Sequence, residues 1–412
     1  MNLIVAQSGG PTSVINSSLA GVVDSGIDND FEKIFVSMNG IEGIINENIK
    51  LVDTETFSKV NMTKKLKARP ASILGSCRFK LDGDLDSPVY EKIFEVLKKN
   101  DIGLFVYIGG NDSMDTVKKL NSYIAYKNIE ASGYEFRAIH IPKTIDNDLE
   151  GMDHSPGFGS AAKYIASTLR SLRCDVDIYD LESVTFVEIM GRHAGWLAAS
   201  SLVANHNYHK DLVNLLYIPE DEMSIDKLLD DIREELKKEK NLLVAIAEGF
   251  RDTDGLLSEE VFANTKDGFN HPVVSGVGER LADLVRDRLD IKSRAVELNI
   301  VQRSNNLISE TDSKEAYHLG YRAVELGTTR TNLVPVLRRK DSEDYEVYYT
   351  EVNPDEIANK EMKIPQEWLK DKKTLEEKIK AYTLPLIKGE VKQVYQDGMP
   401  VFVRIEDFTK DI

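Results

Sequence analysis

The sequence predicts an α/β protein built from two Rossmann-like three-layer α/β/α domains, each with a mostly parallel sheet. Short apolar runs of strand length alternate with helical patterns along most of the chain, and this alternation is typical of parallel strands covered by helices on both faces. The length of 412 residues is sufficient for two or three packed units at about 150 residues each. A content of 42% hydrophobic and 29% charged residues indicates a globular chain and not a disordered one.

The first unit is predicted from residue 1 to the Gly- and Pro-containing stretch at 148–157. Its elements follow from apolar periodicity; in the segment 88–100, for example, the residues Ile93, Phe94 and Leu97 fall on one face of a helix. The predicted elements of this unit are strands at 3–6, 34–37, 104–108 and 136–141 and helices at 14–23, 88–100 and 113–126.

The second unit repeats the alternation, and the tail departs from it. Its predicted elements are strands at 183–190, 213–218 and 242–247 and helices at 161–172 and 225–238. After about residue 329 the chain is more charged and less regular; the predicted elements there are a strand at 345–352, a helix at 375–382 and a β-hairpin at 391–405. The hairpin is predicted from the Asp397-Gly398 pair, which favours a tight turn.

Charge and cysteine content limit the classes of function. The chain has 52 Lys and Arg against 69 Asp and Glu, a net charge of −17, which argues against nonspecific binding to nucleic acid or to an anionic membrane. No apolar run reaches the ~20 residues of a membrane span, and residues 1–6 lack the basic leader of a signal peptide. The only cysteines, Cys77 and Cys174, exclude a disulfide framework and a Cys-rich metal site. We therefore expect a soluble, cytoplasmic protein of enzyme size, and small anionic substrates are not excluded, since a local basic pocket can lie on an acidic protein.

Two predicted strands end in glycine-rich turns, and ligands bind at the carboxyl ends of strands in open parallel sheets. The first turn contains Gly9-Gly10, whose backbone N–H groups could approach an oxyanion beside the next helix N-terminus. The second contains Gly109-Gly110, followed by Asn111 and Asp112, which could reach a metal or a phosphate. A tight strand–helix turn is the alternative at the first, and helix N-capping by Asp112 or Ser113 is the alternative at the second.

The third strand end, at residues 141–148, is the most polar. Asp146 and Asp148 are two residues apart, so on an extended chain they project to the same side. Two carboxylates so close require a proton, a cation or a metal between them, so one could accept a proton while the other holds Mg²⁺. Lys143 could hold a phosphoryl oxygen. A surface loop with fortuitous charges is the alternative.

Two other patterns are weaker. Gly157-Phe158-Gly159 begins a G-x-G-x-x-A match, but no strand precedes it, so the context of a dinucleotide site is missing. The sequence has no Walker P-loop and no H-R-D loop of a protein kinase. His206 and His209 have the spacing of metal ligands, but no third ligand accompanies them, which favours a solvated loop.

From residue 1 to about residue 330 the chain resembles the phosphofructokinase family. The motifs that carry this resemblance occur in family order and are Gly9-Gly10, the segment 74–78 ending in Cys77-Arg78, Gly109-Gly110, Thr144-Ile145-Asp146-Asn147-Asp148, Met190-Gly191-Arg192, Glu248-Gly249, Arg294 and Gln302-Arg303. The resemblance implies the phosphofructokinase fold. It further implies a phosphoryl-donor domain at 1–150 plus about 303–352, a sugar-phosphate domain at 151–302, and an extension at 353–412 that packs on the core.

The resemblance also implies a role for each matching residue. Asp146 is similar to the general base that takes the proton of the sugar C1 hydroxyl, and Lys143, Asp112 and Arg192 complete the catalytic set. Asn111 and Asp148 match the Mg²⁺ site, and Gly10 and Arg78 match the donor phosphate site. The positions that match the sugar-phosphate pocket are Thr144, Ile145, Met190, Gly191, Arg192, Glu248, Arg294 and Arg303. One base, one metal and several cations suit phosphoryl transfer, which needs positioning and charge neutralisation.

The identity of the donor depends on two positions. ATP-using members usually have glycine at the position of Asp112 and commonly at that of Lys143, whereas an acid and a base resemble pyrophosphate-using members. An aspartate ~4 Å from the α-phosphate of ATP would cost about 4 kcal/mol at an effective dielectric constant of about 20, on the order of 10³ in binding. Lys143 offers an ammonium to pyrophosphate. The predicted reaction is reversible phosphoryl transfer from pyrophosphate to the C1 hydroxyl of fructose 6-phosphate, giving fructose 1,6-bisphosphate and phosphate.

The main alternative is an ATP-dependent phosphofructokinase. An NAD or lipid kinase of the related superfamily would share the glycine turn but not the segment 142–148, and a noncatalytic regulatory subunit would be expected to lack Asp146. Departures from the family are Asn111 in place of a metal-site aspartate, Ile41 in place of an aromatic residue, Ile300 in place of a histidine or tyrosine, and Ser183 in place of an arginine that bacterial ATP-using members borrow across a subunit interface. The family implies a homodimer or homotetramer with active sites near the subunit contact.

Overall fold

Two β-sheets with apolar cores on both faces form the framework of the chain in a computed structural model. The structure describes residues 1–257, 276–329 and 332–411, so parts of the predicted units 151–302, 303–352 and 353–412 lie outside the described residues.

The strands of the described residues are β1 Asn2–Gln7, β2 Ile34–Ser37, β3 Ile49–Val52, β4 Ile102–Gly109, β5 Arg137–Pro142, β6 Ser183–Ile189, β7 Leu215–Tyr217, β8 Asn241–Ala247, β9 Lys292–Glu297, β10 Val334–Arg339, β11 Val347–Val352, β12 Tyr395–Gln396, β13 Met399–Pro400 and β14 Thr409–Lys410. The α-helices are α1 Ile15–Asp28, α2 Ile41–Ile45, α3 Thr54–Lys59, α4 Met62–Lys67, α5 Pro88–Lys99, α6 Asn111–Tyr126, α7 Phe158–Val176, α8 Trp196–Ser200, α9 Ile225–Leu236, α10 Val277–Leu289, α11 Glu310–Thr328, α12 Pro354–Ile357 and α13 Lys372–Thr383. Short 3₁₀ helices span Ile129–Ser132, Ser201–Asn205, Asn299–Arg303, Gln366–Trp368, Leu384–Ile387 and Ile405–Asp407.

The first sheet has six strands in the order β14-β3-β2-β1-β4-β5. Strands β2, β1, β4 and β5 are parallel, and β3 and β14 are antiparallel to their neighbours. Leu3 and Val5 pack in the core on one face of the sheet, and Ile4 and Ala6 pack in the core on the other face. Because both faces are covered, β1 is apolar from residue 3 to residue 6, which is the pattern that predicted it.

The second sheet has four parallel strands in the order β7-β8-β6-β9. Val187 and Leu243 face one core, and Phe186 and Val244 face the other. Strand β9 lies at the edge of this sheet, and several of its side chains are exposed. Its polar sequence gives no strand signal, so β9 was not predicted; pairing with β6 decides its conformation.

Helix α11 packs against α1, although nearly 300 residues separate the two in sequence. Two glycines allow this close approach. A Cβ on Gly21 would lie 2.0 Å from the carbonyl oxygen of Tyr317, and a Cβ on Gly320 would lie 2.1 Å from that of Ser18. The contact brings residues after 310 into the first apolar core, together with β10.

The C-terminal segment contributes to one apolar core of each sheet. Val403 and Phe408 pack in the first core and β14 extends the first sheet, whereas Ile364, Ile379 and Leu386 pack in one core of the second sheet. This segment therefore bridges the two sheets. The boundaries of the three predicted units stay a prediction.

The predicted α/β class with mostly parallel sheets is confirmed. The sequence missed β3 and β14, which are short, β9, which is polar, and β10, which contains Pro335 and pairs with β11. In the tail, the predicted strand and helix are found as β11 and α13. The hairpin predicted at 391–405 is reduced to two-residue strands around Asp397 and Gly398, which have φ of 50° and 83° as a tight hairpin turn requires.

Candidate active site

The three polar strand ends meet in one cleft of about 300 Å³. They follow β1, β4 and β5, three adjacent parallel strands of the first sheet, so their carboxyl ends share one edge. The residues that line the cleft are Ser8, Gly9, Gly10, Pro11, Arg78, Gly110, Asn111, Asp112, Ser113, Lys143, Thr144, Ile145, Asp146, Asp148, Leu149, Met190 and Arg303. The cleft thus joins turns of the first sheet to Met190, which follows β6 of the second sheet.

The turn after β1 is shaped for close approach to a cation. Gly9 has φ of 74°, in the region that favours glycine. A Cβ on Gly10 would lie 3.1 Å from Nη1 of Arg303, so the absence of a side chain at Gly10 leaves room for the guanidinium. Lys143 donates from Nζ to the carbonyl oxygen of Gly10 at 2.6 Å. Two cationic side chains therefore flank this turn.

Lys143 is the most buried cation of the cleft, with 3% of its surface exposed. Burial lowers its pKa to about 8; the charge of Asp146 opposes this shift and that of Arg303 adds to it. Burial and the charge of Arg78 also lower the pKa of Arg303. Arg78, Lys143 and Arg303 form a positive cluster that a phosphate-bearing ligand would stabilise.

Two carboxylates lie at the bottom of the cleft. Part of Asp146 faces the open cleft, yet burial raises its pKa, opposed by the hydrogen bond from Thr144 and by the charge of Lys143. Burial and the charge of Asp146 raise the pKa of Asp148. The two carboxylates influence each other, so they titrate as a pair. Such a pair can accept a proton near neutral pH.

Asn111 supplies a third oxygen to this part of the cleft. Its Oδ1 atom is buried and has no hydrogen-bond partner. A buried carbonyl oxygen without a partner is costly, so a ligand in the cleft would stabilise it. Oxygens from Asn111, Asp146 and Asp148 are the ligand type that Mg²⁺ prefers. No group of three or more His, Cys, Asp or Glu side chains with metal-site geometry is found among the described residues.

Four residues that match the sugar-phosphate pocket follow strands of the second sheet. Glu248 donates its backbone N–H to Ile189 at 2.8 Å, and Gly249 donates to Gly191 at 3.1 Å, so the ends of β6 and β8 lie side by side. Burial and the charge of Asp146 raise the pKa of Glu248 to about 8. Met190 lines the cleft, whereas Gly191, Arg192 and Glu248 are not among the residues that line it.

Asp112 is at the rim of the cleft, in the first turn of α6. Its side chain is 42% exposed, and its Oδ1 lies 3.0 Å from Nζ of Lys80. Water and the ammonium both screen the carboxylate, so its repulsion of an anion is weaker than the ~4 kcal/mol calculated for an unpaired charge. Lys80 is the residue of this rim that the sequence analysis missed, although it stands two positions after Arg78.

The structure places Arg294 outside the cleft. Arg294 is on β9, where Nη2 lies 2.8 Å from Asp175 and Nε donates to Oγ1 of Thr185 at 3.2 Å. Together with Ser183 it lines a separate small cavity near the amino ends of β6 and β9, the opposite end of the sheet from the cleft. Ile300 is 56% exposed on the 3₁₀ helix that ends at Arg303.

The G-x-G-x-x-A segment begins α7, as its helical pattern suggests, but its N-terminus is occupied by a side chain. Asp312 accepts hydrogen bonds from the backbone N–H groups of Gly157 at 2.9 Å and Ser160 at 2.8 Å. A carboxylate in this position neutralises the positive end of the helix.

Among the described residues, no helix combines the length and apolar character needed to cross a lipid bilayer.

Comparison with known proteins identifies the relatives of the chain. Residues 2–327 match the family model described as phosphofructokinase. The chain is 35% identical to the pyrophosphate–fructose 6-phosphate 1-phosphotransferase of Methylococcus capsulatus, with 98% of this chain and 96% of that protein covered. It is 36% identical to the protein of the same name from Xanthomonas campestris pv. campestris, with the same coverage.

Among solved structures, the fold is similar to that of a pyrophosphate-dependent phosphofructokinase from Nitrosospira multiformis. The TM-score is 0.85 at 32% identity, and the match covers 100% of this chain and 98% of that one. The predicted family resemblance and fold are therefore confirmed.

Proposed function

We propose that this chain, which belongs to the phosphofructokinase family, is a diphosphate–fructose-6-phosphate 1-phosphotransferase. It transfers a phosphoryl group from pyrophosphate to the C1 hydroxyl of fructose 6-phosphate, giving fructose 1,6-bisphosphate and phosphate. The relatives that match nearly the full chain carry the name of this activity, which supports it. The observation that carries the proposal is a half-buried carboxylate pair in one cleft with a buried lysine and two arginines.

On the acceptor side, Asp146 takes the proton of the sugar C1 hydroxyl as the hydroxyl oxygen bonds to the transferred phosphorus. The raised pKa of Asp146 makes its carboxylate a better proton acceptor, as a general base requires. Thr144, whose hydroxyl lies 3.3 Å from Oδ2 of Asp146, orients the carboxylate. Ile145, Met190, Gly191, Arg192 and Glu248 are proposed to bind the sugar phosphate.

On the donor side, the bridging P–O bond of pyrophosphate breaks and phosphate leaves with the electron pair. Gly10, Arg78, Lys143 and Arg303 hold the phosphate oxygens. Lys143 in its ammonium form neutralises charge on the transferring group, and its burial strengthens this interaction because little water competes for it.

We propose that Asn111 and Asp148 hold Mg²⁺. The unpartnered Oδ1 of Asn111 and the adjacent carboxylates fit such an ion, since they provide oxygens and negative charge that protein groups leave unsatisfied. When bound, the ion would neutralise phosphate oxygens. Asn111 in place of an aspartate removes one negative charge, so we expect weaker ion binding in the absence of pyrophosphate.

ATP is the less supported donor. Asp112 stands where the α-phosphate of ATP would lie in the related enzymes, and the names of the relatives favour pyrophosphate. Because Lys80 screens Asp112, charge repulsion contributes less than an unpaired aspartate would, and we attribute part of the exclusion to the size of the side chain.

The position of Arg294 supports a homo-oligomer. Arg294 and Ser183 do not line the cleft of their own chain. The family implies active sites near the subunit contact, where bacterial ATP-using members borrow an arginine at the position of Ser183. We propose that Arg294 serves the sugar-phosphate site of a second copy in a homodimer or homotetramer. A role in glycolysis and a cytoplasmic location follow from the proposed substrates.

The test is a purified-enzyme assay with pyrophosphate and ATP compared at equal concentration, with fructose 6-phosphate and Mg²⁺. We expect turnover with pyrophosphate to exceed that with ATP and to run in both directions. Faster turnover with ATP would refute the donor assignment, and no turnover with either would refute the acceptor. Omitting the divalent ion tests the metal, since activity should then be lost.

A further inference from the structure

The loop that carries Asp146 and Asp148 contacts the C-terminal segment on two sides. Met362 donates its backbone N–H to the carbonyl oxygen of Asp148 at 2.8 Å, and Leu149 forms a β-bridge with Glu361. On the other side Asn147, between the two aspartates, donates from Nδ2 to the hydroxyl of Tyr382 at 2.8 Å. Residues more than 200 positions away therefore contact three consecutive residues of the loop.

Asn147 has a backbone conformation and a degree of burial that few residue types tolerate. It is fully buried and has φ of 58°, the left-handed region that asparagine tolerates better than most residues. Its Oδ1 accepts the backbone N–H of Ser155 at 2.8 Å. The amide side chain thus has one partner in the following turn and one in the C-terminal segment, and both fix the direction of the loop.

Tyr382 is itself held firmly. Its hydroxyl donates to the carbonyl oxygen of Asp153 at 2.6 Å, and its ring packs against Trp196 with centroids 5.1 Å apart. Arg339 donates from Nη2 to the carbonyl oxygen of Tyr382 at 3.0 Å and lies over its ring. The hydroxyl therefore has a defined position, and its hydrogen bond restrains the side chain of Asn147.

We propose that Tyr382 is a positioning residue for phosphoryl transfer. Through Asn147, its hydroxyl sets the orientation of the loop that carries Asp146 and Asp148. The inference rests on the proposed function for its kinetic readout. It assigns a role to the C-terminal segment beyond adding to the apolar cores, because one hydroxyl of this segment reaches the residue between the two carboxylates.

The test compares Tyr382→Phe with Tyr345→Phe. Tyr345 is a matched control, because its ring also lies over Arg339, at 4.9 Å, the same distance as that of Tyr382. Its hydroxyl donates to Oε1 of Glu315 at 2.6 Å and has no contact with the loop. Each variant removes one hydrogen-bonded hydroxyl from the same cluster, so we expect similar decreases in thermal stability.

The expected results differ in kinetics. Tyr382→Phe should lower kcat about 10- to 100-fold with little change in KM for either substrate, because a misplaced base slows the chemical step more than it weakens binding. Tyr345→Phe should change kcat less than about threefold. Equal effects of the two variants on kcat, at equal loss of stability, would overturn the proposal.

A second measurement and a second variant keep the proposal testable if Tyr382→Phe gives no kinetic result. Hydrogen exchange of the amides at 144–149 should be faster in Tyr382→Phe than in Tyr345→Phe; this readout needs no activity, so it tests positioning even if the proposed reaction fails. If Tyr382→Phe does not fold, Asn147→Gly is used instead, since glycine tolerates the same φ. It should lower kcat similarly, and an unchanged kcat in Asn147→Gly would refute the role of the contact.

Discussion

The cleft carries aspartates in two regions, the rim with Asp112 and the floor with Asp146 and Asp148. The two regions differ in exposure to solvent and in the charges that surround the carboxylates. At the rim Asp112 is 42% exposed and forms an ion pair with Lys80. At the floor Asp146 and Asp148 have pKa values raised by burial, and each is affected by the other or by nearby cations. Desolvation at the floor favours uptake of a proton by the carboxylates, whereas the exposed carboxylate at the rim acts on a donor through its size and its screened charge. The floor should therefore govern turnover and the rim should govern the choice of donor.

The largest effect should follow from removing the base at the floor. Asp146→Asn keeps the shape of the side chain but cannot accept the proton, so kcat should decrease by about 10²–10⁴ or more. Steady-state assays with pyrophosphate and fructose 6-phosphate measure this. Asp180→Asn, at a side chain 88% exposed and outside the cleft, is the control and should leave kcat within about twofold. An unchanged kcat in Asp146→Asn would exclude this residue as the base.

An intermediate effect, visible in the pH profile, should follow from changing the buried cation. Because burial lowers the pKa of Lys143 to about 8, its ammonium is present below that pH and is lost as the pH rises through it. The kcat/KM for pyrophosphate in the wild type should thus decline above about pH 8. Lys143→Arg keeps its charge at high pH, so its alkaline decline should move upward even if its maximum is lower. The ionisation of pyrophosphate is common to both enzymes, and an alkaline limb at the same pH in both would contradict the assignment.

The smallest effects are expected at the rim, where removing Asp112 or Lys80 should change the preference for the donor in opposite directions. Asp112→Asn removes the negative charge at constant size and should raise the ratio of kcat/KM for ATP to that for pyrophosphate, by about tenfold or less because the charge is screened. Lys80→Met removes the screening ammonium and should lower this ratio. Asp112→Gly removes charge and bulk and should raise it more than Asp112→Asn does. A ratio that moves in the same direction in Asp112→Asn and Lys80→Met would show that charge at the rim does not select the donor.

The floor and most of the rim could be predicted from the sequence because their residues occupy short segments directly after strands. Asp146 and Asp148 are two positions apart, and the apolar run of β5 before them identifies the strand end without reference to any distant residue. The location of Arg294 outside the cleft could not be predicted in this way. It lies near the amino end of an edge strand with no apolar pattern, so only the pairing of β9 with β6 shows that it faces away from the cleft.

The sequence by itself determined the alternation of strands and helices, the glycine turns that leave space for anions and cations, and the order of the polar residues, because each depends on neighbours within a few positions. Only the tertiary structure decided that Lys80 pairs with Asp112 and that Tyr382 contacts Asn147. It also decided that burial raises the pKa of Asp146 and lowers that of Lys143. The physical reason is that desolvation and hydrogen bonding between distant segments depend on which surfaces pack together, and no local pattern specifies this.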